Sequence, residues 1–253
     1  MTDVFDRMLR RQRLLRLSEE DPQLFEGVRP DRRAEAGRTV TAEGLDLGPG
    51  SWSGELPGGS PMEHHLGLFV VDGLLLRNVT VAQRPLSELV GAGDLLRPWQ
   101  HEGDVASIPF STSWKVLEPT RLAILDDRFL ATACRWPELM SSLVGRALRR
   151  SHALAVQLAI ADLRRAEDRL VMLFWHLADR WGTVGPDGVN VPIRLTHEII
   201  AQLVCAQRPT VTAALRRLDA DGTLRRRRDR TWLLDRQVPA AQRRFSEPAR
   251  VSA

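Results

Sequence analysis

The chain of 253 residues has no tyrosine, a single lysine (Lys115) among 36 basic side chains, two cysteines (Cys134 and Cys205) and only 6% aromatic residues. With so few groups titrating between neutrality and pH 12, a small surplus of arginine holds the pI near 10.2 on its own. The pI is therefore weak evidence about partners. Two cysteines cannot build a disulfide framework or a four-cysteine metal site, nor supply the roughly four thiolates of an iron–sulfur sensor. No run of 18 or more apolar residues is present to span a bilayer, and the N-terminus has no apolar signal core. These absences point to a reducing, cytoplasmic setting. What remains, 43% apolar and 27% charged residues, is the composition of a soluble globular protein, and the length suggests two modest domains.

Charge becomes informative when it is counted by region. Residues 1–162 carry 19 basic and 22 acidic side chains, net −3, whereas 163–253 carry 17 and 10, net +7. A field of one sign confined to one module is what counterion release from a phosphate backbone exploits.

The first 36 residues read as a helical arm. Over 3–26, Phe5, Met8, Leu9 and Leu15 stand among Arg7, Arg10, Arg11, Arg13 and Arg16, which suggests a short amphipathic docking helix. From 37 to 132 the texture changes, with recurring Gly and Pro separating short apolar runs at 66–71, 74–76, 89–90, 95–96 and 122–125. Short strands so spaced imply an antiparallel sandwich or barrel. After Trp136 the pattern turns helical, opening at Pro137, whose missing N–H is harmless in a first turn. The segment 133–162 has a narrow stripe of Met140, Leu143, Ala147, Leu154, Leu158 and Ala161, interrupted by Arg150 and Ser151, suited to pairing with a second copy of the same helix.

The region 163–238 is the most legible. Leu170, Leu173, Phe174, Leu177, Ala178 and Trp181 form a core-facing helical stripe. Gly185-Pro186-Asp187-Gly188 is a turn before the alternating Val189, Val191 and Ile193. Thr196 stands where its hydroxyl caps a short helix bearing Ile199, Ile200, Leu203 and Val204. After a connection at 205–207, Pro209 opens a second helix with Val211, Ala214, Leu215 and Leu218 inward and Thr210, Thr212, Ala213, Arg216 and Arg217 outward. Gly222 stops it. Leu224, the run Arg225–Arg228, the Asp229-Arg230 turn and 231–234 read as a hairpin with a basic tip. Helix, tight turn, helix and hairpin make a winged helix-turn-helix, with 239–253 a flexible tail.

The stretch Ile193 to Leu224 resembles the DNA-binding motif of the Crp/Fnr transcription regulators. That resemblance implies an α+β fold: an N-terminal antiparallel, jelly-roll-like β-roll related to cyclic-nucleotide-binding domains (37–132), a long dimerisation helix (133–162) and the C-terminal winged helix-turn-helix. Val71-Asp72-Gly73 and Gly93-Asp94-Leu95 resemble the roll's recurring turns, and Trp114 resembles an aromatic that follows its ligand loop. Arg208 falls on the family's guanine-reading arginine, where its fork meets O6 and N7 in the major groove. Thr196, Gln207 and Thr210 fall on phosphate-contacting positions. Thr212 and Arg216 on the same outer face, and Arg228 in the wing, complete the expected DNA-facing set. Pro209 and Ala213 replace an acidic base-reader and a second arginine, so the target is expected to differ from that of the catabolite activator. The implied partners are double-stranded DNA, a second copy of the chain and RNA polymerase, with no membrane.

The sensor half departs further from the family pattern. Arg97-Pro98 and Ser111-Thr112 stand where a Gly-Glu pair for the ribose and an Arg-Ser pair for the cyclic phosphate are needed, and the base-binding helix positions resemble Leu154 and Ala155. A buried phosphate lacking a compensating arginine is prohibitive in a low dielectric. Cyclic AMP is therefore not expected to bind with the affinity usual in the family, and no catalytic residue, metal or cofactor is assigned. Glu63, His64, His65 and His101 are the only metal-like grouping, without cupin spacing; they frame the alternative, a cupin-like metal-dependent enzyme with an accessory helical domain. Cys134 and Cys205 are expected as small buried apolar residues, and His152, His176 and His197 as structural or solvent-facing.

Overall fold

In the computed structural model, which describes residues 9–56, 65–99 and 108–235, the chain divides into two compact units, Met1–His152 and Ala153–Ala253. The first is built on a seven-stranded antiparallel sheet comprising β1 (Leu9–Arg16), β2 (Thr41–Leu47), β3 (Gly50–Trp52), β4 (Gly67–Val81), β5 (Arg84–Gly91), β6 (Leu95–Leu96) and β7 (Phe110–Leu125). The order is β1-β2-β7-β4-β5, with β3 also on β7 and β6 also on β4. The apolar runs at 66–71 and 74–76, expected as separate strands, belong to one long strand. Val71-Asp72-Gly73 is accordingly a bulge in β4 and not a turn: the register against β7 shifts between Val70 and Leu75. Gly73, at φ +98°, permits this, because a Cβ there would run into the Pro119 carbonyl and Thr120 of β7. By contrast, Gly93-Asp94 is a true turn, closed by the Asp94 carboxylate accepting from the Gly91 N–H at 2.9 Å.

The expected helix over 3–26 is also corrected. Leu9–Arg16 is a strand paired with β2, followed by the short helix α1 (Leu17–Glu20), a 3₁₀ turn (Pro22–Phe25) and α2 (Pro30–Thr39). Leu14 is exposed, Leu15 buried, Arg16 exposed and Leu17 buried, a period of two that a helix cannot present to one surface. Nor is the segment a free arm. Leu15, Leu17, Leu24, Phe25 and Val28 share one core with Phe69, Phe129, Trp136, Leu139 and Leu143, which come from β4, from α3 (Asp127–Ala133), from the connection after it and from the start of α4 (Pro137–Ala161). A second core joins Leu45, Leu47, Trp52, Leu75, Val90, Trp114 and Val116 across the sheet.

The α4 stripe is rotated from its expected place. Leu139 and Leu143 are buried in their own unit, while Val144, Leu148 and Leu158 are 56%, 66% and 48% exposed. With Ser151 and Ala155, also exposed, they form an uncovered row at spacings of four and three. The expected Leu143 and Met140 belong instead to the inner face.

The second unit packs α5 (Ala166–Trp181), α6 (His197–Leu203) and α7 (Arg208–Ala220) on a four-stranded sheet. Its order is β10 (Leu224–Arg226), β11 (Trp232–Leu234), β9 (Gly188–Val191) and β8 (Thr183–Gly185). The apolar face of α5 buries Leu170, Val171, Leu173, Phe174 and Leu177, and the Phe174 and Trp232 rings meet at 4.7 Å between centroids.

Candidate nucleic-acid interface

Local chemistry fixes the pair α6 and α7. Thr196 caps α6, its Oγ1 accepting from the Ile199 N–H at 3.3 Å. Val204 ends the helix and Cys205 turns the chain in the left-handed region, at φ +49°. Gln207 is the N-cap residue of α7 but makes no side-chain cap bond, and Pro209 fills the first turn. Val211, Ala214, Leu215 and Leu218 anchor the helix, while Gly222, at φ +80°, lets the chain leave it. The hydrophobic anchoring leaves Gln207, Arg208, Thr210, Ala213 and Arg216 exposed.

Arg208, Thr212 and Arg216 follow one another at intervals of four and so share one outer face of α7. Neither arginine has an acceptor among the described residues, whereas Arg217 is committed to Glu167 at 2.6 Å. The Glu167 N–H and the Arg217 guanidinium together hold that carboxyl below its ordinary value. Thr212 is half-buried and bonded across the motif, its Oγ1 lying 3.0 Å from His197 Nδ1. His197 is held below its ordinary pKa by burial first, and then by Arg226, Arg208 and Arg216. Its contacts bear out a structural place for the ring, and they put it among the arginines of the expected DNA face.

The wing is braced at its tip. Asp229 accepts from the Thr231 hydroxyl at 2.7 Å and the Thr231 N–H at 3.0 Å, bonds that keep its carboxyl below the usual range. The Arg226 guanidinium stands 5.7 Å from the Trp232 ring centre, and Arg227 reaches Asn190. Arg225 and Arg228 are exposed. All seven expected residues, Thr196, Gln207, Arg208, Thr210, Thr212, Arg216 and Arg228, thus lie at the N-cap of α6, in the connection to α7, on α7 or in the wing. Thr196 spends its hydroxyl on capping, and Thr212 shares its hydroxyl with His197.

The roll holds a charge cluster that the sequence reading missed. Arg77 and Glu88 are register partners on β4 and β5, on the core face shared by Leu75, Val90 and Trp114. Glu88 Oε1 accepts from Arg77 Nη1 at 3.0 Å and from Arg150 Nη2 of α4 at 2.6 Å, and Arg150 also donates to the Leu95 carbonyl at 2.9 Å. One turn earlier on α4, Arg146 meets Asp21 at 2.7 Å. Trp114 packs on Trp52, with centroids 5.9 Å apart. The only advance signal was an arginine and a glutamate at core-facing positions of alternating strands. Cys134 and Cys205, expected to be buried, are both exposed, because Cys134 caps the end of α3 and Cys205 lies in the turn after α6. Of the metal-like grouping, Glu63, His64 and His101 lie outside the described residues. His65 stands edge-on to Trp99 at 6.2 Å. No helix of the described residues is long and apolar enough to cross a membrane.

Residues 168–238 match the family model of the Crp-like helix-turn-helix domain. The chain is 32% identical over 166 residues to the regulatory protein CysR of Synechococcus elongatus, covering 61% of this chain and 76% of that one. A cyclic nucleotide-binding domain containing protein from Listeria monocytogenes EGD-e superposes with a TM-score of 0.61 at 17% identity, over 88% of this chain and 98% of that chain. A variant of CooA from Carboxydothermus hydrogenoformans gives 0.56 at 19% identity, over 80% and 87%. For FixK2 from Bradyrhizobium japonicum the values are 0.55 and 17%, over 80% and 96%. At these identities the structural likeness is one of fold.

Proposed function

Because the chain belongs to the Crp/Fnr family of transcription regulators, we propose that it works as a cytoplasmic homodimer on a pseudo-palindromic DNA site, with RNA polymerase as a further partner. The observation that carries this reading is the outer face of α7, where Arg208 and Arg216 are exposed and unpaired among the described residues beside a basic wing. Arg208 reads a guanine edge from the first turn of the recognition helix. Thr210, Gln207 and Thr196 at the N-cap of α6 set register on phosphates, with Thr212, Arg216 and Arg228 extending the contact.

Pairing of two chains is supported by the uncovered row Val144, Leu148, Ser151, Ala155 and Leu158, whose four–three spacing is that of a coiled-coil seam. The two half-sites of such a pseudo-palindrome lie about 34 Å apart, one turn of DNA. Cyclic AMP is not the controlling ligand in this reading. Arg77 and Arg150 do reach the core face of the roll, but both already donate to Glu88, and Trp52 and Trp114 occupy the same core. The reading contains no catalytic step.

A gel-shift assay with a site selected from random duplexes tests the proposal. The intact chain should prefer the full pseudo-palindrome to a half-site, and Arg208→Ala should lose about 1 to 3 kcal/mol of discrimination against the wrong base. Unchanged preference between site and random DNA would remove Arg208 from its role.

A further inference from the structure

We propose that His197 belongs to the DNA-binding surface and takes up a proton when DNA binds, so that operator affinity is coupled to the charge of one imidazole. The inference rests on the DNA-binding reading above. His197 opens α6, and its Nδ1 lies 3.0 Å from the Oγ1 of Thr212, midway between Arg208 and Arg216 on the outer face of α7. The ring therefore bridges the two helices of the motif at the level of the expected base and phosphate contacts.

The groups facing it come from three elements. From α7 come the guanidinium groups of Arg208 and Arg216 and the Thr212 hydroxyl; from the wing strand β10 comes Arg226. On its own helix the adjacent Glu198 is exposed. Burial and the three arginines push the imidazole below its ordinary value of 6.5, so the ring of the free protein is neutral at pH 7.

A DNA backbone reverses the charge contribution around the ring, and this change outweighs burial, which still acts against protonation. Its phosphates neutralise the same arginines that repel a proton from His197, and they add negative charge next to the ring. The pKa in the complex is then higher than in the free protein. By linkage, affinity is greatest below the free value and falls as the pH rises through the bound value. Protonation also settles the hydrogen bond. A charged imidazole donates from both nitrogens, so Nδ1–H is given to Thr212 Oγ1, whose own O–H is released toward the groove, and Nε2–H is available to a phosphate oxygen.

The test uses the full chain and a labelled duplex bearing the selected site, titrated by fluorescence anisotropy from about pH 5.5 to about pH 8 at constant salt. The wild type should weaken by about tenfold for each unit by which DNA raises the pKa. His197→Gln, which keeps hydrogen-bonding capacity but cannot titrate, should bind with a flatter pH profile, and His197→Arg should be both tight and flat. In parallel, the His197 Cε1 proton resonance should titrate below 6.5 in the free protein and at higher pH in the complex. Equal pH slopes for wild type and His197→Gln, or a resonance that titrates alike with and without DNA, overturns the proposal while leaving DNA binding intact. Failure of the wild type to bind the duplex at any pH overturns both.

Discussion

In the N-terminal unit Arg77, Arg146 and Arg150 turn inward onto Glu88 and Asp21, whereas in the C-terminal unit Arg208, Arg216, Arg225 and Arg228 stand in solvent with no carboxylate partner among the described residues. The same side chain serves two different physical ends. Desolvated and paired, a guanidinium fixes where a strand and a helix meet, and its loss leaves an uncompensated buried charge. Hydrated and unpaired, it contributes little to folding and leaves a positive surface ready for an anionic polymer. The overall charge of +4 averages over these two uses and conceals both.

The sharpest way to break that contrast is to remove the carboxylate on which two of the inward arginines converge. Glu88 is 8% exposed at its side chain, and Arg77 and Arg150 are 29% and 17% exposed. Glu88→Ala strands both guanidinium groups, and the first unit should lose about 2 to 3 kcal/mol of stability in a urea titration. A loss below about 0.5 kcal/mol would mean that water already screens the cluster as it does a surface pair.

The outward set should behave in the opposite way. Arg228→Ala should leave stability within about 0.5 kcal/mol while reducing the slope of log affinity against log salt by about 1. The two variants together separate the roles: one moves the unfolding midpoint, the other the salt dependence. An Arg228→Ala protein with an unaltered salt slope would place the wing tip off the backbone.

The regions also differ in how far they could be read in advance, and the reason is the range of the interactions. In the winged motif the cap at Thr196, the proline at 209, the buried set Val211, Ala214, Leu215 and Leu218 and the break at Gly222 are all settled within a few residues of each other. In the roll, Gly67 pairs with Leu125 and Val81 with Phe110, and nothing local announces either. The β4–β5 hairpin turns on Ala82 and Gln83, both at positive φ, where the usual asparagine or glycine signal is missing. The row on α4 was displaced because helical periodicity defines stripes but not which stripe is covered; that depends on Leu139 and Leu143 meeting Phe129 and Phe25. Glu88, Arg77 and Arg150 come from two strands and a helix more than sixty residues later. Of the DNA-facing set, the positions were legible, but the His197 to Thr212 bond depends on how α6 crosses α7.

The smallest effect expected concerns the two cysteines, which compare the units through the backbone alone. Cys134 ends α3 at φ −63° and Cys205 turns the helix-turn-helix at φ +49°; both side chains are exposed, so neither substitution removes core packing. A side chain in the left-handed region costs roughly 1 to 2 kcal/mol, while glycine loses roughly 0.5 to 1 kcal/mol more than alanine in chain entropy on folding. At Cys205 the first term exceeds the second, and Cys205→Gly should stabilise the second unit by about 0.5 kcal/mol. At Cys134 only the second term applies, so Cys134→Gly should destabilise the first unit by about as much. Opposite shifts of the two unfolding midpoints follow from the sign of φ. Shifts of the same sign would show that the chain relieves the strain at Cys205 by some route other than its backbone angle.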